Sequence, residues 1–137
     1  MMADSPPCLG AASGALMAVV DDDGGFRALA RRVAEPMGWR VTEYPDGKAF
    51  LRDLDAGLAP RLVLLDILMP ERDGLETAPA LLEAAPQCRL VVATGGEAAF
   101  VEVVRWQAER AGAPEPAVLR KPAPLADLRA AIGHAPA

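Results

Sequence analysis

Four short apolar runs and one more modest, mixed stretch punctuate the chain, and each empties into polar or turn-forming residues. Leu16-Met17-Ala18-Val19-Val20 meets Asp21-Asp22-Asp23, and Arg40-Val41-Thr42-Glu43-Tyr44 is followed shortly by Asp46. Leu62-Val63-Leu64-Leu65 ends on Asp66, Arg89-Leu90-Val91-Val92-Ala93 hands over to Thr94-Gly95-Gly96, and Ala117-Val118-Leu119-Arg120 delivers Lys121-Pro122. A continuous apolar run this short, closed by turn signals, predicts a strand buried on both faces and hence a parallel sheet. The run ending at Asp66 is the plainest case, because Pro70 and Asp73-Gly74 build a turn just beyond it.

Between these runs the apolar spacing becomes helical. Phe26, Leu29, Ala30, Val33 and Met37 form one face of a first helix, closed by Pro36 and Gly38. Asp46 caps a second helix carrying Phe50, Leu51 and Leu54, which ends at Gly57 and Pro60. Leu75, Ala78 and Leu82 mark a third from about Leu75; Pro79 either kinks it or sits in the first turn of a helix restarting at Thr77. Val101, Val104, Ala108 and Ala111 belong to a long fourth helix. Pro124 opens a fifth, with Leu125, Leu128 and Ile132 lining its buried side. Five strands alternating with five helices predict an α/β domain whose parallel sheet is covered on both faces. Right-handed crossovers then bring all the carboxyl strand ends to one edge, where open α/β folds bind their ligands.

At 137 residues, one domain is expected. Residues 1–14 lack periodicity and read as a disordered leader, residues 15–133 as the domain, and residues 134–137 as a short tail. The composition is 52% hydrophobic but only 4% aromatic, so the core is aliphatic. A net charge of −5 without a basic run argues against nucleic-acid binding. Cys8 and Cys88 alone offer neither a disulfide framework nor a thiolate metal cluster. No apolar run approaches the roughly 20 residues that span a bilayer, and the acidic start makes a poor secretory signal. A cytoplasmic protein without membrane contact is the expectation.

The predicted edge gathers Asp21, Asp22, Asp66, Thr94 and Lys121. Clustered carboxylates resist joint ionisation, and a hard divalent cation relieves their repulsion. An all-oxygen acidic site suits Mg²⁺, which keeps waters free for phosphate. With a hydroxyl and an ammonium on the far side, such a pocket suits a transferring phosphoryl group. Each residue also has a plainer use: the triple Asp as favourable charge at a helix start, Asp66 as a loop cap, Thr94 as a strand-end hydroxyl, Lys121 as a surface charge. Trp39 and Trp106 read as packing or surface residues, Cys88 as an inert thiol, and His134 as exposed.

Taken together, Val19-Val20-Asp21-Asp22-Asp23, Leu65-Asp66 with Met69-Pro70 and Asp73-Gly74, Ala93-Thr94-Gly95 and Lys121-Pro122 resemble a response-regulator receiver domain of two-component signalling, of the stand-alone type. The resemblance covers residues 15–133 and implies a flavodoxin-like, doubly wound sheet of strand order 2-1-3-4-5 with five helices. It implies that Asp66 accepts the phosphoryl group and that Thr94 and Lys121 contact its oxygens. Mg²⁺ would be held by Asp22 and Asp66 through side chains, by Asp21 mainly through water, and by the Leu68 backbone carbonyl. Pro122 matches a proline whose preceding peptide bond is often cis. The implied partners are a sensor histidine kinase or histidine phosphotransfer protein upstream and a protein target downstream, with a phosphorylation-dependent homodimer as a further option. The implied contact face is the helix from about Gly96 with the last strand and helix.

The chain departs from the family pattern in five places. Val118 stands where the last strand usually carries an aromatic switch residue, and Ala123 stands where many receivers carry Phe. The stretch from Thr94 to Lys121 is lengthened around residues 109–116, as in receivers attached to cyclic-di-nucleotide phosphodiesterase modules. Leu68 and Gly96, at positions that tune self-dephosphorylation in the family, are non-polar, so a long-lived acyl phosphate is expected. Two rival readings are a pseudo-receiver acting as a phosphorylation-independent scaffold and an aspartyl phosphohydrolase of the haloacid-dehalogenase type. The latter typically needs an Asp two residues after its nucleophile, where this chain has Leu68.

Overall fold

In the computed structural model, which describes residues 14–67, 73–96 and 98–136, five parallel strands alternate with five helices. The strands are β1 (Leu16–Val20), β2 (Arg40–Tyr44), β3 (Leu62–Asp66), β4 (Arg89–Thr94) and β5 (Ala117–Arg120). The helices are α1 (Gly24–Ala34), α2 (Gly47–Asp55), α3 (Asp73–Ala84), α4 (Ala98–Ala111) and α5 (Leu125–Ile132). The sheet order is β2-β1-β3-β4-β5, as the resemblance implied, so the order reverses between β1 and β3. The carboxyl edge at such a reversal is open, because the connections leave the two strands toward opposite faces.

The apolar runs form strands because both sheet faces are covered. Ala18, Val20, Val63, Leu65 and Val92 pack with Phe50, Leu81 and Val104 on one face. Met17, Val19, Leu62, Leu64 and Val91 pack with Val33, Leu128 and Ile132 on the other. All five residues of β3 are buried, whereas at the sheet margins only Tyr44 of β2 and Leu119 of β5 are. Sheet order therefore reads directly as hydrophobicity: the central strands are the continuous apolar runs and the outer ones are mixed.

The helix boundaries follow local chemistry. Asp46 caps α2, its carboxylate accepting from the Ala49 amide at 2.8 Å. The first helical stretch divides into α1 and a 3₁₀ turn over Glu35–Met37, closed by Gly38 at φ +97°, a left-handed conformation that favours glycine. α3 runs without interruption from Asp73 through Pro79, so neither a restart at Thr77 nor a start at Leu75 is observed. Proline there removes one amide donor from the ladder, and the turn must hold through packing, with Ala78 and Leu81 fully buried beside it. Leu125 is exposed rather than inward-facing, so α5 packs through Leu128 and Ile132, with Ala131 partly buried beside them. Ala111 is likewise exposed, at the end of α4.

After α5 the chain stays attached to the first crossover. The Trp39 indole donates to the Gly133 carbonyl at 2.7 Å, and the Ala135 amide donates to the Met37 carbonyl at 2.9 Å. Among the described residues, no helix is long and apolar enough to cross a membrane.

Candidate functional site

Strand register assembles the site. Val20 lies opposite Leu65, so the next residues, Asp21 and Asp66, leave the sheet side by side. Asp66 pairs with Ala93, placing Thr94 one step beyond, and Thr94 pairs with Arg120, placing Lys121 one step further. The Lys121 amide closes the row by donating to the Thr94 carbonyl at 2.8 Å. Four of the predicted residues thus meet at one edge because four strands end within a residue or two of one another.

The three consecutive aspartates have three separate uses. Asp21 is only 1% exposed: its amide donates to the Tyr44 carbonyl, and its carboxylate accepts from the Asp23 amide and from Lys121 Nζ, each at 2.9 Å. Asp22 is exposed and leans into the same cup. Asp23 is the N-cap of α1, accepting from the Gly25 and Phe26 amides. The plainer sequence reading therefore holds for Asp23 alone.

Ligand oxygens of Asp21, Asp22 and Asp66 lie within 4.8 Å of one another. Lys121 Nζ stands 2.9 Å from Asp21 and 3.6 Å from Asp66, one ammonium against three carboxylates. Burial works against the charged form of Lys121, but the hydrogen bond and charge of Asp21, then the charge of Asp66, outweigh it and raise its pKa above the ordinary lysine value. The ammonium is therefore charged throughout the neutral range. Negative charge still exceeds positive in a partly buried, all-oxygen cup, which is the donor set a hard divalent cation such as Mg²⁺ takes. The Leu68 carbonyl, Met69-Pro70 and the Asp73 side chain lie outside the described residues and side chains.

On the far side, Thr94 is 1% exposed and its hydroxyl oxygen accepts from the Gly96 amide at 3.1 Å. Gly96 sits at φ +124°, a conformation open to glycine and costly for side-chain-bearing residues. The Lys121–Pro122 peptide bond is cis.

Two supports escaped the sequence reading. Lys121 Nζ lies 4.4 Å from the centroid of the Phe26 ring, so the first apolar residue of α1 also forms one wall around the ammonium. Arg27 donates to the Asp21 carbonyl at 2.6 Å and is itself held by Glu43 at 3.3 Å. Helical periodicity explains Phe26 as core, and nothing in linear spacing joins Arg27 to Glu43 on β2. Elsewhere, Trp39 is buried, Trp106 is surface, His134 is exposed, and burial pushes the Cys88 thiol up to about 12.

A family model described as the response regulator receiver domain matches residues 17–133. The response regulator receiver protein CpdR of Brucella abortus is 32% identical over 111 residues, spanning 80% of this chain and 87% of that protein. The protein-glutamate methylesterase/protein-glutamine glutaminase of Maricaulis maris is 33% identical over 118 residues, 81% of this chain but 29% of that protein. Other curated relatives are also longer, with 22% to 59% of their length spanned. A CheY-like receiver domain protein from Methanospirillum hungatei superposes with a TM-score of 0.73 at 22% identity, covering 88% of this chain and 91% of that one.

Proposed function

Because the chain belongs to the response regulator receiver domains, the signalling phosphoacceptors of two-component systems, we propose that it is a working phosphoacceptor with Asp66 as the residue that takes the phosphoryl group. The observation that carries this reading is the position of Lys121, tied to Asp21 at 2.9 Å and standing 3.6 Å from Asp66. That spacing leaves an ammonium beside the nucleophile without sealing it off.

In the proposed reaction, a carboxylate oxygen of Asp66 attacks the phosphorus of a phosphohistidine on a sensor histidine kinase or histidine phosphotransfer protein. The new O–P bond forms as the P–N bond breaks, and the electron pair stays on the imidazole, which takes up a proton. Lys121 meets one phosphoryl oxygen with its ammonium, and the Thr94 hydroxyl donates to another. Asp22 and Asp66 would hold Mg²⁺ by side chains, with Asp21 through water and the Leu68 carbonyl completing the set. The cation would supply positive charge to the phosphoryl oxygens opposite Lys121. Asp21 suits an indirect role, since both of its carboxylate oxygens already accept hydrogen bonds.

The product adds about −1.5 to −2 charges at the sheet edge. Engagement of Thr94 by that charge would draw its hydroxyl away from the Gly96 amide and so couple the site to α4. The output is a protein contact; no aromatic residue at position 118 relays it. A non-polar Gly96 gives hydrolytic water no anchor, and a long-lived acyl phosphate follows.

Beryllofluoride, a mimic of the phosphoryl group, tests the reading against a constitutive scaffold. With Mg²⁺, saturating beryllofluoride should raise the thermal midpoint of the wild type, by about 2.7 kcal/mol of stabilisation at a hundredfold excess over Kd. Asp66→Asn should show no rise. An unchanged midpoint in the wild type would leave only the scaffold.

A further inference from the structure

Trp106 is 56% exposed on the outer face of α4, the most exposed of the large apolar side chains among the described residues. It is the ridge between two hollows. One, of about 520 Å³, lies between α4 and the segment leading to β5 and is walled by Glu102, Arg105, Glu109 and Glu115. The other, of about 530 Å³, lies toward α3 and is walled by Pro79, Leu82, Pro86 and Gln107 together with the charged Glu83 and Arg110. The first is acidic: three carboxylates face a single guanidinium, and Arg105 is bonded to Glu102 at 2.8 Å and lies 3.7 Å from Glu115. The second is largely apolar.

Two buried polar atoms on this surface have no hydrogen bond among the described residues: Arg105 Nε, which faces Glu115 at 3.7 Å, and Gln107 Oε1 at the second hollow. Buried polar groups are ordinarily paired, and a partner polypeptide bringing a donor to Gln107 would satisfy one of them. One face of the Trp106 ring is taken by Arg110, 4.9 Å from its centroid. The opposite pull comes from the surplus carboxylates, which favour a cation arriving from outside.

We propose that α4 and α3 form a docking surface for a basic amphipathic segment of another protein. It would place an Arg or Lys in the hollow of Glu102, Glu109 and Glu115, cross Trp106, and set an aliphatic residue on the exposed Pro79 and Pro86. Charge complementarity selects this occupant: the acidic wall repels nucleic-acid phosphates and acidic peptides alike. The surface is separate from β5 and α5, and it does not depend on the phosphoacceptor reading, since its walls exclude Asp66, Thr94 and Lys121.

The test uses the full chain and two synthetic 16-residue amphipathic helices with identical leucines, one carrying arginines and the other glutamates at the polar positions. Fluorescence anisotropy of the labelled peptides reports affinity, and tryptophan emission reports location, since Trp39 is buried and Trp106 is not. The basic peptide should bind at least tenfold tighter than the acidic one, shift the emission, and weaken as salt rises. Trp106→Ala should cost roughly tenfold or more, the double variant Glu102→Lys with Glu109→Lys should reverse the preference, and Asp66→Asn should bind as the wild type does. Circular dichroism checks that each exposed variant is folded. Equal binding of both peptides, no binding, an unaffected Trp106→Ala, or self-association of the chain that covers Trp106 without peptide would each overturn the proposal.

Discussion

The carboxyl edge between β1 and β4 and the outer strand β5 are neighbours built on opposite terms. At the edge, Asp21, Asp66 and Thr94 are at most 7% exposed although all three are polar, and each is held at the buried carboxyl end of a central strand. On β5 only Leu119 is buried, and Val118, where receivers usually place an aromatic, is 37% exposed. Yet β5 also delivers Lys121, which points back into the edge. One strand therefore delivers Lys121 to the cup while carrying no bulky side chain at position 118. Under the proposed function the chemical site and the readout would be separable: the first is fixed by register and buried polar contacts, the second would depend on what the exposed strand carries.

Five substitutions sharpen this contrast. Lys121→Met should have the largest effect, slowing phosphorylation by acetyl phosphate roughly 10²–10³-fold by loss of a preorganised charge. Unchanged labelling kinetics would mean that the ammonium only balances Asp21. Leu64→Ala, in the central strand below the site, should cost about 3 kcal/mol in urea unfolding, because Leu64 is 1% exposed. Asp23→Ala should cost about 1 kcal/mol through loss of the α1 cap. Its phosphorylation rate should stay near that of the wild type, whereas Asp22→Ala should show the reverse pattern, with stability kept and labelling weakened. Val118→Tyr should be the mildest, within about 0.5 kcal/mol of the wild type. A larger loss there would mean that β5 is more tightly packed than its exposure indicates.

Much of this architecture was legible because two signals coincide. Continuous apolar runs marked the central strands, and the edge position of β2 and β5 appears in their mixed composition. The cup was legible because its members sit at strand ends, so topology alone brings them together. Asp46 was legible as a cap because only one helix lies near it. Asp23 was not, since three identical residues in a row carry no mark of which turns inward. Leu125 misled for a related reason: it continues the spacing of Leu128 and Ile132, but a helix of eight residues presents little more than two turns to the sheet. The passage of α3 through Pro79 and the brace from Glu43 through Arg27 to Asp21 depend on tertiary contacts, which spacing does not encode.

The central claim is that the cup exists to load Asp66. Purified wild type and Asp66→Asn, incubated with acetyl phosphate and Mg²⁺ and weighed intact, test it most directly. A gain of one phosphoryl group in the wild type, with none in Asp66→Asn, is the predicted result. An equal gain in both, or none in either, would contradict it.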